Sequence, residues 1–133
     1  MPEIVLVFDG GSLGNPGKGY GSYRLTTNGN HQPIRELDFG DNITNNWAEY
    51  QTMIEGLQDA VRLLEKYGYD PAGARISVLT DSKLVVEQVS GRWKVKSAEL
   101  RPLVLESRLL LGRFGTWTLE WHPRANSVKV LGH

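Results

Sequence analysis

The feature that most constrains the fold is an uninterrupted apolar segment near the start of the chain, EIVLVFD, at residues 3–9. A strand without polar alternation is typical of a sheet that is covered on both faces. The period of two along a strand puts Val5, Val7 and Asp9 on one face, and two glycines follow Asp9. We therefore expect a central sheet packed by helices, with a carboxylate where its first strand ends.

Further periodic segments extend this sheet. Strands are expected near residues 20–27 and 34–40, and the Asn-Gly turn between them predicts an antiparallel meander with the first strand. Apolar residues that recur every three or four positions predict a helix from Asn46 to about Tyr67. The remaining predicted elements are a strand at 74–80, helices at 82–90 and 97–111, and a strand at 116–122. This order predicts an α/β fold, a mixed five-stranded sheet with its first three strands antiparallel, flanked by helices, in one domain of residues 1–133.

Composition narrows the function classes. The chain has no cysteine, which excludes disulfides and thiolate metal sites, and no apolar run approaches the roughly 18 residues of a membrane span. The N-terminus lacks the pattern of a signal peptide, so we expect a cytoplasmic monomer that does not bind membranes. Net charge is zero, yet residues 1–61 carry 3 Lys/Arg against 8 Asp/Glu, while residues 62–133 carry 12 against 7. This asymmetry is consistent with a basic face beside an acidic site, or with two solvated surfaces.

Three acidic residues stand where the predicted elements present polar groups. Asp9 and Asp81 follow strands, and Glu49 lies at the start of the long helix. If the two strands are parallel neighbours, their carboxyl ends meet at one edge of the sheet, and Glu49 could point into the same space. Converging carboxylates raise one another's pKa unless a cation neutralises them, so the pattern favours hard divalent ions, Mg²⁺ or Mn²⁺.

Each acid also has a purely structural interpretation. Glu49, three residues after Asn46, fits the reciprocal position of a helix capping box. Asp81 fits an acid that a helix N-terminus favours, and Asp9 with its two glycines fits a plain turn.

The sequence segments around these acids resemble those of a known family. The stretches FDGGSLGNPGKGYGSY, TNNWAEYQTMIEGL and TDSKLVVEQVSGRWKVK are similar, in order and spacing, to the three signature segments of type 1 ribonucleases H. The resemblance implies a fold in which four acids surround two divalent ions, and cleavage of the RNA strand of RNA/DNA hybrids to give 3′-hydroxyl and 5′-phosphate ends. It assigns the first three acidic roles to Asp9, Glu49 and Asp81.

The same resemblance implies which residues bind the substrate. The glycine-rich stretch and the TNN segment are expected to contact RNA sugars and bases, through Gly10, Gly11, Asn15, Thr44, Asn45 and Asn46. Trp93 and Lys94, with Arg92 and Lys96, resemble the family's groove for the DNA strand, although Trp93 also fits a core residue under that loop. The chain lacks the basic helix that some members insert here, and an additional hybrid-binding domain, so we expect modest, salt-sensitive affinity.

The tail HPRANSVKVLGH departs from the family pattern. Arg124 fits a position that relatives use for product release or proton transfer, but Val130 or Leu131 stands where the fourth acid is expected. Three interpretations remain: Asn126 supplies a neutral metal ligand, Asn126 only caps a closing helix that begins near Ser127, or His122 takes part. Imidazole suits magnesium poorly, and beside Trp121 we expect His122 to face solvent from the strand. The leading hypothesis is a metal-dependent ribonuclease H, and the alternative is a hybrid-binding or RNA-binding module that has lost catalysis.

Overall fold

The structure is a computed structural model that describes residues 1–132. Its elements, in chain order, are β1 (Glu3–Gly14), β2 (Gly17–Thr27), β3 (Asn30–His31), β4 (Arg35–Ile43), α1 (Asn45–Lys66), a 3-10 turn (Pro71–Gly73), β5 (Arg75–Thr80), α2 (Lys83–Val89), α3 (Arg101–Leu111), β6 (Thr116–Trp121) and α4 (Arg124–Leu131).

The strands form one mixed sheet, as predicted. β1 pairs antiparallel with β2 and parallel with β5, and β5 pairs parallel with β6. The far edge of β2 pairs with β4 and, near its end, with the two-residue strand β3. The antiparallel meander and the parallel neighbours are therefore confirmed, while β3 makes a sixth strand inside the segment predicted to be only a turn.

The long helix α1 packs closely across the sheet. Its apolar face is buried among the strands, with Tyr50, Met53 and Leu57 each fully buried. Gly10 of β1 permits this approach, because a Cβ atom there would lie 2.6 Å from the main-chain oxygen of Ala48. The close contact brings the first turns of α1, with Glu49, over the strand that carries Asp9. None of the helices in residues 1–132 is both long and apolar enough to cross a membrane.

Several element boundaries differ from the predictions. β1 continues past Asp9 to Gly14 and β2 begins at Gly17, so the glycine-rich stretch forms a hairpin rather than a loop. α3 begins at Arg101 instead of Ser97, because Pro102 suits only the first turn of a helix. α4 begins at Arg124, three residues before the predicted start at Ser127, directly after Pro123 in the N-cap position.

Candidate active site

Asp9 and Asp81 meet at one edge of the sheet, as predicted. The parallel pairing of β1 and β5 runs as far as Val7 opposite Leu79, and each acid lies two residues further along its chain. Asp9 does not end its strand, however, because β1 goes on as an antiparallel partner of β2, with Asp9 opposite Ser22. This continuation buries Asp9 to 5% exposure and fixes its main chain from the β2 side.

Glu49 reaches the same place from α1. The capping-box interpretation is wrong, because the N-cap is Thr44, whose Oγ1 accepts the main-chain N–H of Trp47 at 3.2 Å, and Asn46 is already helical. Glu49 therefore lies in the second turn and is free of any capping role. Its carboxylate accepts a hydrogen bond from the hydroxyl of Ser82, which is itself the N-cap of α2 and accepts from the main-chain N–H of Val85.

The carboxylates lie close enough for repulsion to change the ionisation of Glu49 and Asp81. The pKa of Glu49 is raised to about 7: burial is the largest cause, repulsion from Asp81 and Asp9 acts in the same direction, and the Ser82 hydrogen bond and Arg124 oppose it. Burial and then repulsion from Asp9 raise the pKa of Asp81, while Arg124 lowers it. The cluster therefore carries a negative charge that the surrounding protein compensates only in part.

Arg124 and Trp121 complete the wall of the cleft. The Arg124 guanidinium lies 3.7 Å from Oδ2 of Asp81, and the indole N–H of Trp121 donates to the main-chain oxygen of Asp81 at 3.1 Å. The open cleft has a volume of about 370 Å³ and is lined by Asp9, Gly10, Gly11, Tyr20, Asn45, Glu49, Asp81, Trp121 and Arg124. Asp9, Gly10, Gly11, Asn45, Glu49, Asp81 and Arg124 were predicted from sequence.

The sequence reasoning missed Tyr20 and Trp121. A Cβ atom on Gly11 would lie 2.7 Å from the Tyr20 hydroxyl, so the tyrosine reaches across β1 toward the cleft. Trp121 ends β6, the parallel neighbour of β5, and the rule that sites gather at the carboxyl ends of parallel strands could have identified it.

The hairpin tip and the start of α1 are joined by asparagines. Oδ1 of Asn45 accepts from the main-chain N–H of Ser12 at 2.7 Å and from its hydroxyl at 3.0 Å. In return, the main-chain N–H of Asn45 donates to Oδ1 of Asn15 at 3.1 Å. Asn15 and Asn45 are thus brought together beside the cleft, Asn46 is exposed, and the Thr44 hydroxyl is occupied as a cap.

The loop after α2 presents the predicted aromatic and basic residues to solvent. Trp93 is 45% exposed, so the interpretation of Trp93 as a core residue is wrong. Lys94 is exposed, whereas Arg92 is held by Glu87 through two hydrogen bonds of 2.6 and 3.0 Å. The loop rests on Gln88, whose side-chain amide donates to the Lys94 carbonyl at 3.3 Å.

Two expectations for the tail are corrected. His122 does not face solvent; it is 8% exposed, and its Nε2 lies 2.7 Å from Oγ of Ser127. Asn126 is not a helix cap, because α4 begins before it and Pro123 occupies the cap position. The Asn126 side chain is exposed and does not line the cleft, so its role as a fourth ligand stays a prediction that no contact supports. Leu131 is buried in the protein interior and cannot bind a metal.

The carboxylates do not form a ready-made metal site. Within residues 1–132, no group of three or more His, Asp or Glu side chains is arranged to hold a metal ion as it stands. The donor chemistry nevertheless fits a hard cation, because three carboxylates share one cleft and two of them have raised pKa values.

Comparison with known proteins identifies the family. Residues 8–130 match the family model described as Reverse transcriptase-like. The chain belongs to this ribonuclease H-like family, as the signature segments predicted.

The relatives include proteins named as ribonucleases H. The Bifunctional protein Rv2228c of Mycobacterium tuberculosis is 41% identical over 127 residues, which is 95% of this chain and 33% of the relative. Its N-terminal RNase H domain, solved as a fusion with maltose binding protein, superposes with a TM-score of 0.84 at 39% identity, covering 97% of this chain and 88% of that one. Ribonuclease HI of Halobacterium salinarum is 32% identical over 128 residues, 96% of this chain and 60% of the relative.

A solved complex adds one further neighbour. LC11-RNase H1 in complex with an RNA/DNA hybrid superposes with a TM-score of 0.82 at 26% identity, covering 95% of this chain and 89% of that one. The chain thus spans a third of the length of the mycobacterial relative and three fifths of the halobacterial one.

Proposed function

We propose that this chain is a metal-dependent nuclease that hydrolyses the RNA strand of RNA/DNA hybrids. The observation that carries the proposal is the convergence of Asp9, Glu49 and Asp81 in one open cleft, with raised pKa values for Glu49 and Asp81. Membership of the ribonuclease H-like family and the likeness to a hybrid-bound RNase H1 support the same substrate.

The three carboxylates would serve as ligands for Mg²⁺ or Mn²⁺. Two such ions, when bound, would supply an attacking water of lowered pKa and stabilise the leaving 3′-oxygen, which gives 5′-phosphate and 3′-hydroxyl ends. Cation binding would have to draw the carboxylates together and relieve their repulsion. The Arg124 guanidinium neutralises part of the negative charge of Asp81. Because this guanidinium is exposed, it is also placed to contact a phosphate at the cleft.

Recognition of the RNA strand would fall to uncharged groups beside the carboxylates. Gly10 and Gly11 line the cleft with main chain, and Asn45 lines it from the start of α1. The bonds that link Asn15, Asn45 and Ser12 hold these groups in a fixed arrangement. Neutral donors and acceptors suit 2′-hydroxyls, which distinguish RNA from DNA, whereas phosphate contacts do not. Thr44 and Asn46 would contribute through main chain and an exposed amide respectively.

The DNA strand would contact the loop after α2. Trp93 offers an exposed aromatic ring for stacking, and Lys94 offers a cation for the backbone. Arg92 contributes less free charge, because Glu87 neutralises it.

A second candidate function is hybrid or RNA binding without catalysis. The specific observation in its favour is the tail, where Val130 or the buried Leu131 stands at the position expected for a fourth acid. Against it, a binding module has little physical reason to keep three mutually repelling carboxylates in one cleft.

Cleavage of a labelled RNA/DNA hybrid in Mg²⁺, in Mn²⁺ and in chelator tests the proposal. We expect cleavage with either ion, none in chelator, and losses of at least about 100-fold in Asp9→Asn, Glu49→Gln and Asp81→Asn. Glu106→Gln, an exposed acid on α3, is the matched control for Glu49→Gln and should retain full activity. Binding of the hybrid without cleavage in either metal would favour the second candidate, and equal cleavage in chelator would refute the metal dependence of the proposed nuclease.

A further inference from the structure

A buried polar pair joins the end of β6 to the first turn of α4. His122 is 8% exposed and Ser127 is 2% exposed, and Nε2 of the imidazole lies 2.7 Å from the serine Oγ. Either tautomer of the imidazole satisfies this bond, because the hydroxyl can donate or accept. Neither residue lines the catalytic cleft, so the pair can act on it only through other groups.

The helix α4 begins without a capping side chain. Pro123 occupies the N-cap position of α4, makes no side-chain cap, and has no N–H group to donate. The His122–Ser127 bond spans this proline and fastens the first turn of α4 to the end of β6. The main-chain N–H of His122 donates in turn to the oxygen of Thr80 at 2.9 Å, and Asp81 is the next residue after Thr80. A short path of hydrogen bonds therefore connects the main chain beside Asp81 to the start of α4.

Arg124 is the first residue of α4, and its position depends on this start. Its side chain is 69% exposed, and its one ion pair among residues 1–132 is the 3.7 Å contact with Asp81. The Asp81 side chain is only 8% exposed, but the guanidinium lies in solvent, and one 3.7 Å contact holds a long, exposed side chain only weakly. The direction in which α4 begins therefore decides whether the guanidinium stands at the cleft.

We propose that His122 and Ser127 are positioning residues that set Arg124 against Asp81. The proposal rests on the proposed nuclease function for its kinetic test. It predicts that loss of the His122–Ser127 bond lowers kcat only by displacing the Arg124 side chain.

The kinetic test is a set of single and combined variants assayed on a labelled hybrid. His122→Ala and Ser127→Ala should each lower kcat about 10- to 100-fold, the range for a misplaced catalytic group, with KM within about 2-fold. The double variant should be no worse than either single variant, and His122→Gln, whose amide can still bond Ser127, should recover most of the loss. In an Arg124→Ala background, neither His122→Ala nor Ser127→Ala should reduce kcat further. Losses that persist in that background would overturn the proposal.

A matched control and a second readout separate positioning from folding and from the nuclease proposal. Ser107→Ala removes another buried hydroxyl, which bonds the Leu103 carbonyl at 2.7 Å on α3, and should leave kcat unchanged. The side-chain N–H resonance of Arg124, followed by ¹⁵N NMR, should move in Ser127→Ala in the same direction as in Asp81→Asn. An unmoved resonance would overturn the positioning role even if the variants lose activity. If the parent protein cleaves no hybrid but the resonance moves, the nuclease proposal fails and the positioning role stands.

Discussion

Gly21 of β2 packs against Thr52 of α1 so closely that a Cβ atom on the glycine would lie 1.9 Å from the threonine hydroxyl oxygen. Thr52 is fully buried, and its hydroxyl donates to the Ala48 carbonyl at 2.7 Å within α1. The helix therefore has no room to accept a side chain at position 21. This contact and the one at Gly10 set the height of α1 above the sheet, and with it the position of Glu49.

Gly21→Ala should accordingly destabilise the fold and displace α1. We expect the free energy of unfolding to fall by about 1–3 kcal/mol, the usual cost of overpacking a core. Urea denaturation measures this loss. Gly73→Ala is the control, because no atom lies within 4 Å of a Cβ there and its φ is not positive. Equal stability of the two variants would mean that α1 can shift away from β2 without cost.

Glu49 should make the metal-free fold less stable as pH rises. Its pKa is about 7 in the folded chain against an ordinary value of 4.5, so between these values the folded state holds a proton that the unfolded state has released. The free energy of unfolding therefore falls as pH rises through this window, and the loss is complete above pH 7. Glu49→Gln removes the effect, and we expect it to be more stable than the parent at pH 8 by about 1–3 kcal/mol, but not at pH 4.5.

Denaturant unfolding in chelator at both pH values measures this difference, and the same variant should have lost its nuclease activity. Glu106→Gln, at an exposed position, should show no such pH-dependent gain. A Glu49→Gln protein that is equally stable relative to the parent at both pH values would contradict the electrostatic account of the cleft.

The loop after α2 should contribute to hybrid binding in proportion to its free charge. Lys94 is exposed, while Arg92 is already paired with Glu87 at 2.6 Å. We expect Lys94→Gln to reduce the slope of log affinity against log salt by about 1, and Arg92→Gln to reduce it by less. Titration of a fluorescent hybrid at several salt concentrations, in chelator, measures the slopes.

Lys66→Gln is the charge-matched control for the loop. Lys66 is the last residue of α1, at the opposite end of this 22-residue helix from Glu49, so the substitution should not change the salt slope. Equal effects of Lys94→Gln and Lys66→Gln would indicate that only net charge matters, and would remove the loop from the proposed interface.

Much of the sheet and the long helix could be predicted from periodicity alone. The strands β1 and β5 bury nearly continuous apolar residues, and α1 buries apolar residues at helical spacing. The three acids could be placed together, because Asp9 and Asp81 each lie two residues beyond the parallel pairing of β1 and β5, and Glu49 lies near the start of the long helix. The hairpin through Gly10–Gly19 could not, because glycines carry no apolar period and the pairing depends on the partner strand. The burial of His122 could not be predicted either, because it depends on a tertiary contact with Ser127. That contact forms because α4 begins directly after Pro123, earlier than periodicity indicates.

Asn126 is where the sequence prediction and the geometry diverge most. A neutral fourth ligand requires its amide oxygen at the cleft, but the residue is the third of α4, exposed, and outside the cleft lining. We therefore expect Asn126→Ala and Asn126→Asp to cleave the hybrid within about 2-fold of the parent, since neither changes a group that contacts the carboxylates. Rates measured across a Mg²⁺ titration test this, because a true ligand would shift the metal concentration for half-maximal activity. A lower requirement in Asn126→Asp together with a higher one in Asn126→Ala would show that the first turn of α4 moves to bring Asn126 into the site, and would restore the four-ligand prediction.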